Sequence, residues 1–177
     1  QAQSDLGPIS ILVNNAGIAS RGNSISESDP AEMERVVRTH AFGSWYMANL
    51  LVPGMRDLER GDVVQITSGA TQSNGANGSP YNMGKAAQEA MAYTLAKEER
   101  PNGIHVNIVA PGLVDTEMGA RLMRAVAGVE SLRDLDQTSP FGHVCSPREI
   151  ADVVVFLCSP GASYVTAQRI YVNGGGF

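Results

Sequence analysis

Tyr81 and Lys85 stand four residues apart, and Ser68 precedes the tyrosine by thirteen positions. A phenol beside an ammonium and a hydroxyl can give a proton to, or take one from, an alcohol or carbonyl oxygen. At i and i+4 of a helix the first two share one face. A free phenol titrates near ~10, and a neighbouring ammonium favours the phenolate. The spacing therefore predicts that Lys85 draws the Tyr81 value down toward neutral pH. Ser68 would orient the reacting oxygen by a hydrogen bond, and Lys85 would also hold a ribose hydroxyl. Such proton handling at oxygen is what a protein supplies when a nicotinamide carries the hydride.

Those side chains need a strand and a helix to hold them, and the chain alternates the two throughout. Ser10–Asn14 is a short apolar run between Gly7-Pro8 and Ala16-Gly17, which reads as a buried strand. Asp29-Pro30 with Glu32 signals a helix start, with the acid as cap and proline at the first helical position. The helical pattern then runs to about Leu58, and Gly43 and Pro53-Gly54 are the places for a kink. Asp62–Thr67 is the next strand, and Ser68 to Ser79 is a loop. A long helix follows from Ser79 to about Arg100, then a strand over Ile104–Ala110. Glu117–Asp136 reads as a helical, lid-like segment. Ser146 with Glu149 forms a capping box that opens a helix to about Cys158, and Arg169–Val172 is the last strand. Strands separated by helices imply an α/β, doubly wound parallel sheet covered on both faces, in one domain over residues 1–177.

Bulk numbers exclude several function classes. Thirteen basic and 18 acidic residues give a net charge of −5 with no basic cluster, which argues against nucleic-acid binding. The apolar runs are far too short to cross a bilayer, and no signal peptide opens the chain. Two cysteines, Cys145 and Cys158, read as reduced thiols of a cytoplasmic protein. His40, His105 and His143 lack metal-ligand spacing, so no metal site is expected.

Five motifs, in order, resemble the short-chain dehydrogenase/reductase family almost end to end. They are Asn14-Asn15-Ala16-Gly17, Thr67-Ser68, Tyr81-Asn82-Met83-Gly84-Lys85, Asn107 to Thr116 with its Pro111-Gly112, and Val172-Asn173-Gly174-Gly175. The resemblance implies a Rossmann-like fold. It implies Ser68, Tyr81 and Lys85 as catalytic residues. Asn15, Ala16, Gly17, Tyr81, Lys85, Pro111, Gly112, Val114 (by its backbone) and Thr116 would be cofactor-binding. It further implies NAD or NADP as cofactor and a secondary alcohol or ketone as substrate. A homo-oligomer, dimer or tetramer, would form through the long helices.

The chain departs from the family pattern at three places. The Gly-x-x-x-Gly-x-Gly turn that binds pyrophosphate does not occur. On that ground the chain is expected to carry only the C-terminal portion of the fold, strands four to seven, as a fragment of a longer product. The alternative is a truncated, non-catalytic member that serves as an assembly subunit. His40 replaces the asparagine of the family's Asn-x-x-Gly, where the family holds a water against the lysine. An imidazole there could take the same role in proton transfer and would add a titration near ~6.5, or it could be a core histidine with a backbone partner. Ala167 stands where the family often has glycine.

Overall fold

The computed structural model describes residues 2–176. Gln1, which the family pattern assigns to the helix before the family's fourth strand, lies outside them. In chain order the elements are α1 (Ala2–Leu6), β1 (Ile11–Asn14), α2 (Pro30–Val37), a π-helical turn (Arg38–Phe42), α3 (Gly43–Met55), β2 (Gly61–Ile66), α4 (Ala70–Ser73), α5 (Ser79–Glu99), β3 (Ile104–Pro111), α6 (Glu117–Ala127), α7 (Pro147–Leu157) and β4 (Arg169–Val172).

The four strands pair in the order β1-β2-β3-β4, all parallel. Parallel neighbours need a crossover, and helices supply it between each pair. β2 and β3 are buried on both faces, which is why they read as Val/Ile runs rather than as alternating patterns. On one face Leu12, Val63, Val106 and Ile108 pack with Ala48, Val52 and Met55 of α3 and Ala92 and Ala96 of α5. On the other face Val64 and Val109 pack with Leu157 of α7. β1 differs: Leu12 and Asn14 are buried, whereas Ile11 and Val13 are 47% and 40% exposed.

The helix starts follow their caps. Asp29 accepts from Ala31 N, with Pro30 in the first turn. Ser146 and Glu149 close a reciprocal capping box at α7. The Ser68–Ser79 loop contains one extra turn, α4. The single helix expected over Glu117–Asp136 is divided. Gly128 ends α6 in the left-handed conformation at φ 64°, and a 3₁₀ segment resumes at Leu132–Thr138. Ala167 also takes a positive φ of 56°, a conformation that costs an L-residue roughly 1–2 kcal/mol. That is a physical reason for glycine at this position in the family pattern.

Candidate active site

Ser68 follows β2 by two residues. The Thr67 and Gly69 amides extend the ladder to β3 by donating to the carbonyls of Val109 and Pro111, both at 2.8 Å. This fixes Ser68 at the carboxyl end of the sheet, where parallel α/β sheets bind ligands. Its Oγ accepts from Ala70 N at 3.1 Å, and it faces the Tyr81 phenol closely enough to oppose the rise in that group's pKa. Tyr81 and Lys85 lie on one face of α5. Lys85 is buried, and its Nζ donates to the Ile66 carbonyl at 2.7 Å, the last residue of β2. The amine sits 5.8 Å from the centroid of the Tyr81 ring. The three side chains picked out by spacing therefore meet at one place.

Electrostatics correct one expectation. Burial pushes the Tyr81 phenol above its ordinary value, and Ser68 only opposes this. Lys85 does not draw it down; its hydrogen bond goes to a backbone carbonyl rather than to the phenol. Tyr81 is therefore a neutral phenol, a proton donor, at neutral pH. Burial also lowers Lys85, to about 8, against the raising influence of Glu89.

His40 lies in the π turn between α2 and α3 and is fully buried. Single π turns inside α-helices recur at functional sites because they re-aim a side chain. Here the ring meets Tyr81 edge-on at 5.3 Å between centroids, and Nε2 lies 2.8 Å from the Ile18 carbonyl. That contact fixes the proton on Nε2. Nδ1 is left as a buried lone pair with no partner among the described residues. The expected titration near 6.5 is not found: burial first, then the Lys85 charge, lowers His40 to about 4.

The predicted cofactor-binding residues ring the same end of the sheet. Asn15 and Ala16 are exposed just beyond β1. Gly17 faces the site so closely that a Cβ on it would lie 2.6 Å from His40 Cε1 and 3.6 Å from Lys85 Nζ. Pro111 ends β3, and Gly112 N donates to the Val172 carbonyl at 3.0 Å. Val114 forms a bridge to Cys145, and Thr116 caps α6 through its Oγ1. A nicotinamide with its ribose fits this set. Gly17 lets the backbone pass against the His40 ring next to the Lys85 amine, and Asn15, Ala16 and Gly112 are exposed.

Two concavities are present, one of which shares Gly112 with these residues. One, of about 320 Å³, is lined by Gly112, Leu113, Phe141, His143 and Cys145 among others. The other, of about 330 Å³, lies on the outer face of α3 and α5. Neither is lined by Ser68, Tyr81 or Lys85. Sequence reasoning gave His143 and Cys145 no role; the structure puts both on the first of these walls, with His143 Nε2 2.8 Å from Glu149 Oε1. It also passed over Glu89, which stands four residues past Lys85 on α5 and is buried. That spacing was the available signal. Among the described residues no group of three or more His, Cys, Asp or Glu is placed to hold a metal, and no helix is long and apolar enough to cross a membrane.

The family profile described as enoyl-(acyl carrier protein) reductase matches residues 1–176. The chain belongs to the short-chain dehydrogenase/reductase family. It is 34% identical to an acetoacetyl-CoA reductase of Shinella zoogloeoides, over all of this chain and 71% of that protein. Among solved structures, a 3-ketoacyl-(acyl-carrier-protein) reductase from Brucella melitensis complexed with NADH superposes with a TM-score of 0.86 at 28% identity, over 98% of this chain and 69% of that one. L-sorbose reductase from Gluconobacter frateurii, complexed with NADPH and L-sorbose, gives 0.87 at 31%, over 98% and 68%. The chain thus spans about 70% of the length of these relatives. Like them it is an oxidoreductase by family, built on a parallel Rossmann-like sheet.

Proposed function

We propose that these residues form the catalytic and nicotinamide side of an NAD(P)-dependent reductase that interconverts a ketone and a secondary alcohol. The observation that carries the reading is the meeting of the buried Tyr81 phenol with Ser68 at the end of β2, with the Lys85 amine 5.8 Å from the ring centroid. Tyr81 is the general acid. Held neutral by burial, it has a proton to give to a ketone oxygen at neutral pH. Ser68 orients that oxygen. Lys85 is anchored on the Ile66 carbonyl, which leaves its remaining N–H groups for a ribose hydroxyl. When bound, the nicotinamide supplies the hydride. Asn15, Ala16 and Gly17 would line it, with Pro111, Gly112, Val114 and Thr116 on its other side. The pyrophosphate side is assigned to none of the 177 residues. His40 holds the wall behind Tyr81 and presents Nδ1 as a neutral acceptor.

NAD and NADP both remain readings of the same site, since the two liganded relatives carry one each. Their named substrates, a ketoacyl thioester and a ketose, set the panel to try first. Cofactor oxidation by the protein is followed with NADH and with NADPH against acetoacetyl thioesters and ketoses. Tyr81→Phe should lower the rate ~10²–10⁴-fold while the fold is kept. A Phe variant that retains most of the rate removes Tyr81 from the mechanism. The 177 residues alone should bind either nucleotide weakly, since none of them is assigned to the pyrophosphate; a form that carries the Gly-x-x-x-Gly-x-Gly turn and still binds neither favours the non-catalytic assembly subunit instead.

A further inference from the structure

One turn beyond Lys85, on the same face of α5, stands a carboxylate that the proton-handling scheme leaves unused. The Glu89 side chain is 8% exposed. Its Oε1 accepts from Thr67 Oγ1 at 2.9 Å and from Thr71 Oγ1 at 2.8 Å. Its Oε2 receives Arg169 Nη1 at 2.7 Å. Thr67 adjoins Ser68, and Thr71 Oγ1 also lies 2.9 Å from the Ser68 carbonyl. One carboxylate thus gathers the end of β2, α4, α5 and β4.

The two threonines could be joined by a neutral acceptor, and the Arg169 guanidinium already gives this junction a partner for an anion. What sets Glu89 apart is its distance of one helical turn from a buried ammonium. The Lys85 amine is faced by Tyr81 and by His40, neither of them an anion, and it donates to a neutral carbonyl. Glu89 is the carboxylate whose charge acts on it. Arg169, paired with Glu89 Oε2, lies 4.8 Å from the centroid of the Tyr171 ring, with Tyr93 also within electrostatic reach.

We propose that Glu89 is a positioning residue of the site: it ties the Ser68 strand end to α5 and supplies the negative charge that keeps the Lys85 amine protonated, while Arg169 sets how much of that charge the amine feels. This rests on the reading of Ser68, Tyr81 and Lys85 as the proton-handling group. It also makes an electrostatic claim that can be read without turnover. Lys85 is held at about 8 with Glu89 opposing the effect of burial. Loss of Glu89 would carry it down into the neutral range, and loss of Arg169 would free more of the Glu89 charge and carry it up.

The chain has two lysines, Lys85 and the exposed Lys97. Lysine labelled with ¹³C at Cε therefore gives two resonances, with Lys97 as the internal reference and Lys97→Arg as the assignment. Glu89→Gln keeps a carbonyl acceptor for both threonines and removes the charge. It should lower the Lys85 titration by ~1 unit or more. Arg169→Met should raise it. A purely structural role moves neither, and an unmoved Lys85 in both variants, or shifts of the same sign, overturns the proposal. Where Glu89→Gln fails to fold, Arg169→Met decides by its sign alone. Opposed shifts in a protein that reduces no ketone would sink the reductase reading and leave the electrostatic link standing. In an active protein the alkaline limb of kcat/KM should follow the two shifts, downward for Gln and upward for Met.

Discussion

Tyr81 and His40 touch, and burial acts on both in the direction that keeps them uncharged. For Tyr81 this preserves a proton to donate. For His40 it sets a stability that depends on pH. The folded value of about 4 lies below the ordinary 6.5, so the unfolded chain binds a proton in the interval where the folded chain does not. The contribution of a neutral His40 is fully present above pH 6.5 and is lost as the pH falls through that interval toward 4. At 1.36 kcal/mol per unit this is on the order of 3 kcal/mol. Urea unfolding of the wild type and of His40→Asn at pH 7 and at pH 4 measures it. The wild type should lose more stability than the variant by about that amount. Equal losses would mean that the imidazole is not held neutral. Because His40 does not titrate in the neutral range, the same substitution should leave the shape of the pH–rate profile between pH 6 and 8 unchanged.

At the scale of elements, the site exists because α5 crosses the π turn at glycines. A Cβ on Gly84 would come within 3.0 Å of His40 Cβ, and one on Gly17 would reach 2.6 Å from His40 Cε1. The His40 ring is fully buried and tied to Ile18, so it has no room to yield. Gly17→Ala should therefore cost ~1–3 kcal/mol, as overpacking does. Gly75→Ala is the control, since nothing lies within 4 Å of its Cβ position. A urea midpoint shift for Gly17→Ala no larger than for Gly75→Ala would show that the loop after β1 gives way instead. The strands, the cap at Asp29 and the capping box at Ser146 were legible because each rests on local chemistry: a Val/Ile run between Gly and Pro, or a polar side chain beside a free helix end. The Tyr81, Lys85 and Ser68 meeting was legible from spacing. The π turn was not, because one extra residue per turn leaves no mark in composition. The Lys85 anchor was not, because its acceptor is a backbone carbonyl. The break at Gly128 was missed because the amphipathic pattern runs on through it into Leu132–Thr138. The sign of the Tyr81 shift could not be read either, since it turns on burial.

At the scale of the molecule, two of the regions with exposed apolar side chains bear on association. Ile11 and Val13 of β1 are exposed, as are Val155 and Phe156 of α7. Phe42, Trp45, Tyr46 and Leu50 are between 49% and 68% exposed along the π turn and α3, and the groove there is completed by Ala87 and Met91 of α5. Trp45 and Tyr46 pack edge to face at 5.6 Å, forming a rigid aromatic ridge beside that groove. A twofold contact uses the same patch on both copies, and aromatic residues are the favoured anchors of such contacts. This is the surface through which the expected homo-oligomer of the long helices would form. Trp45→Glu places a charge at the centre of that surface. Trp45 is half exposed within one chain, so the substitution should change the melting temperature little while it disfavours the contact. Sedimentation velocity at matched concentration should show the wild type as a larger species and the variant at the mass of its single chain. A wild type that sediments as one chain at every concentration would leave the ridge without a partner copy. Aggregation in both proteins alike would trace the association to Ile11 and Val13 instead, and Val13→Lys would then be the variant that relieves it.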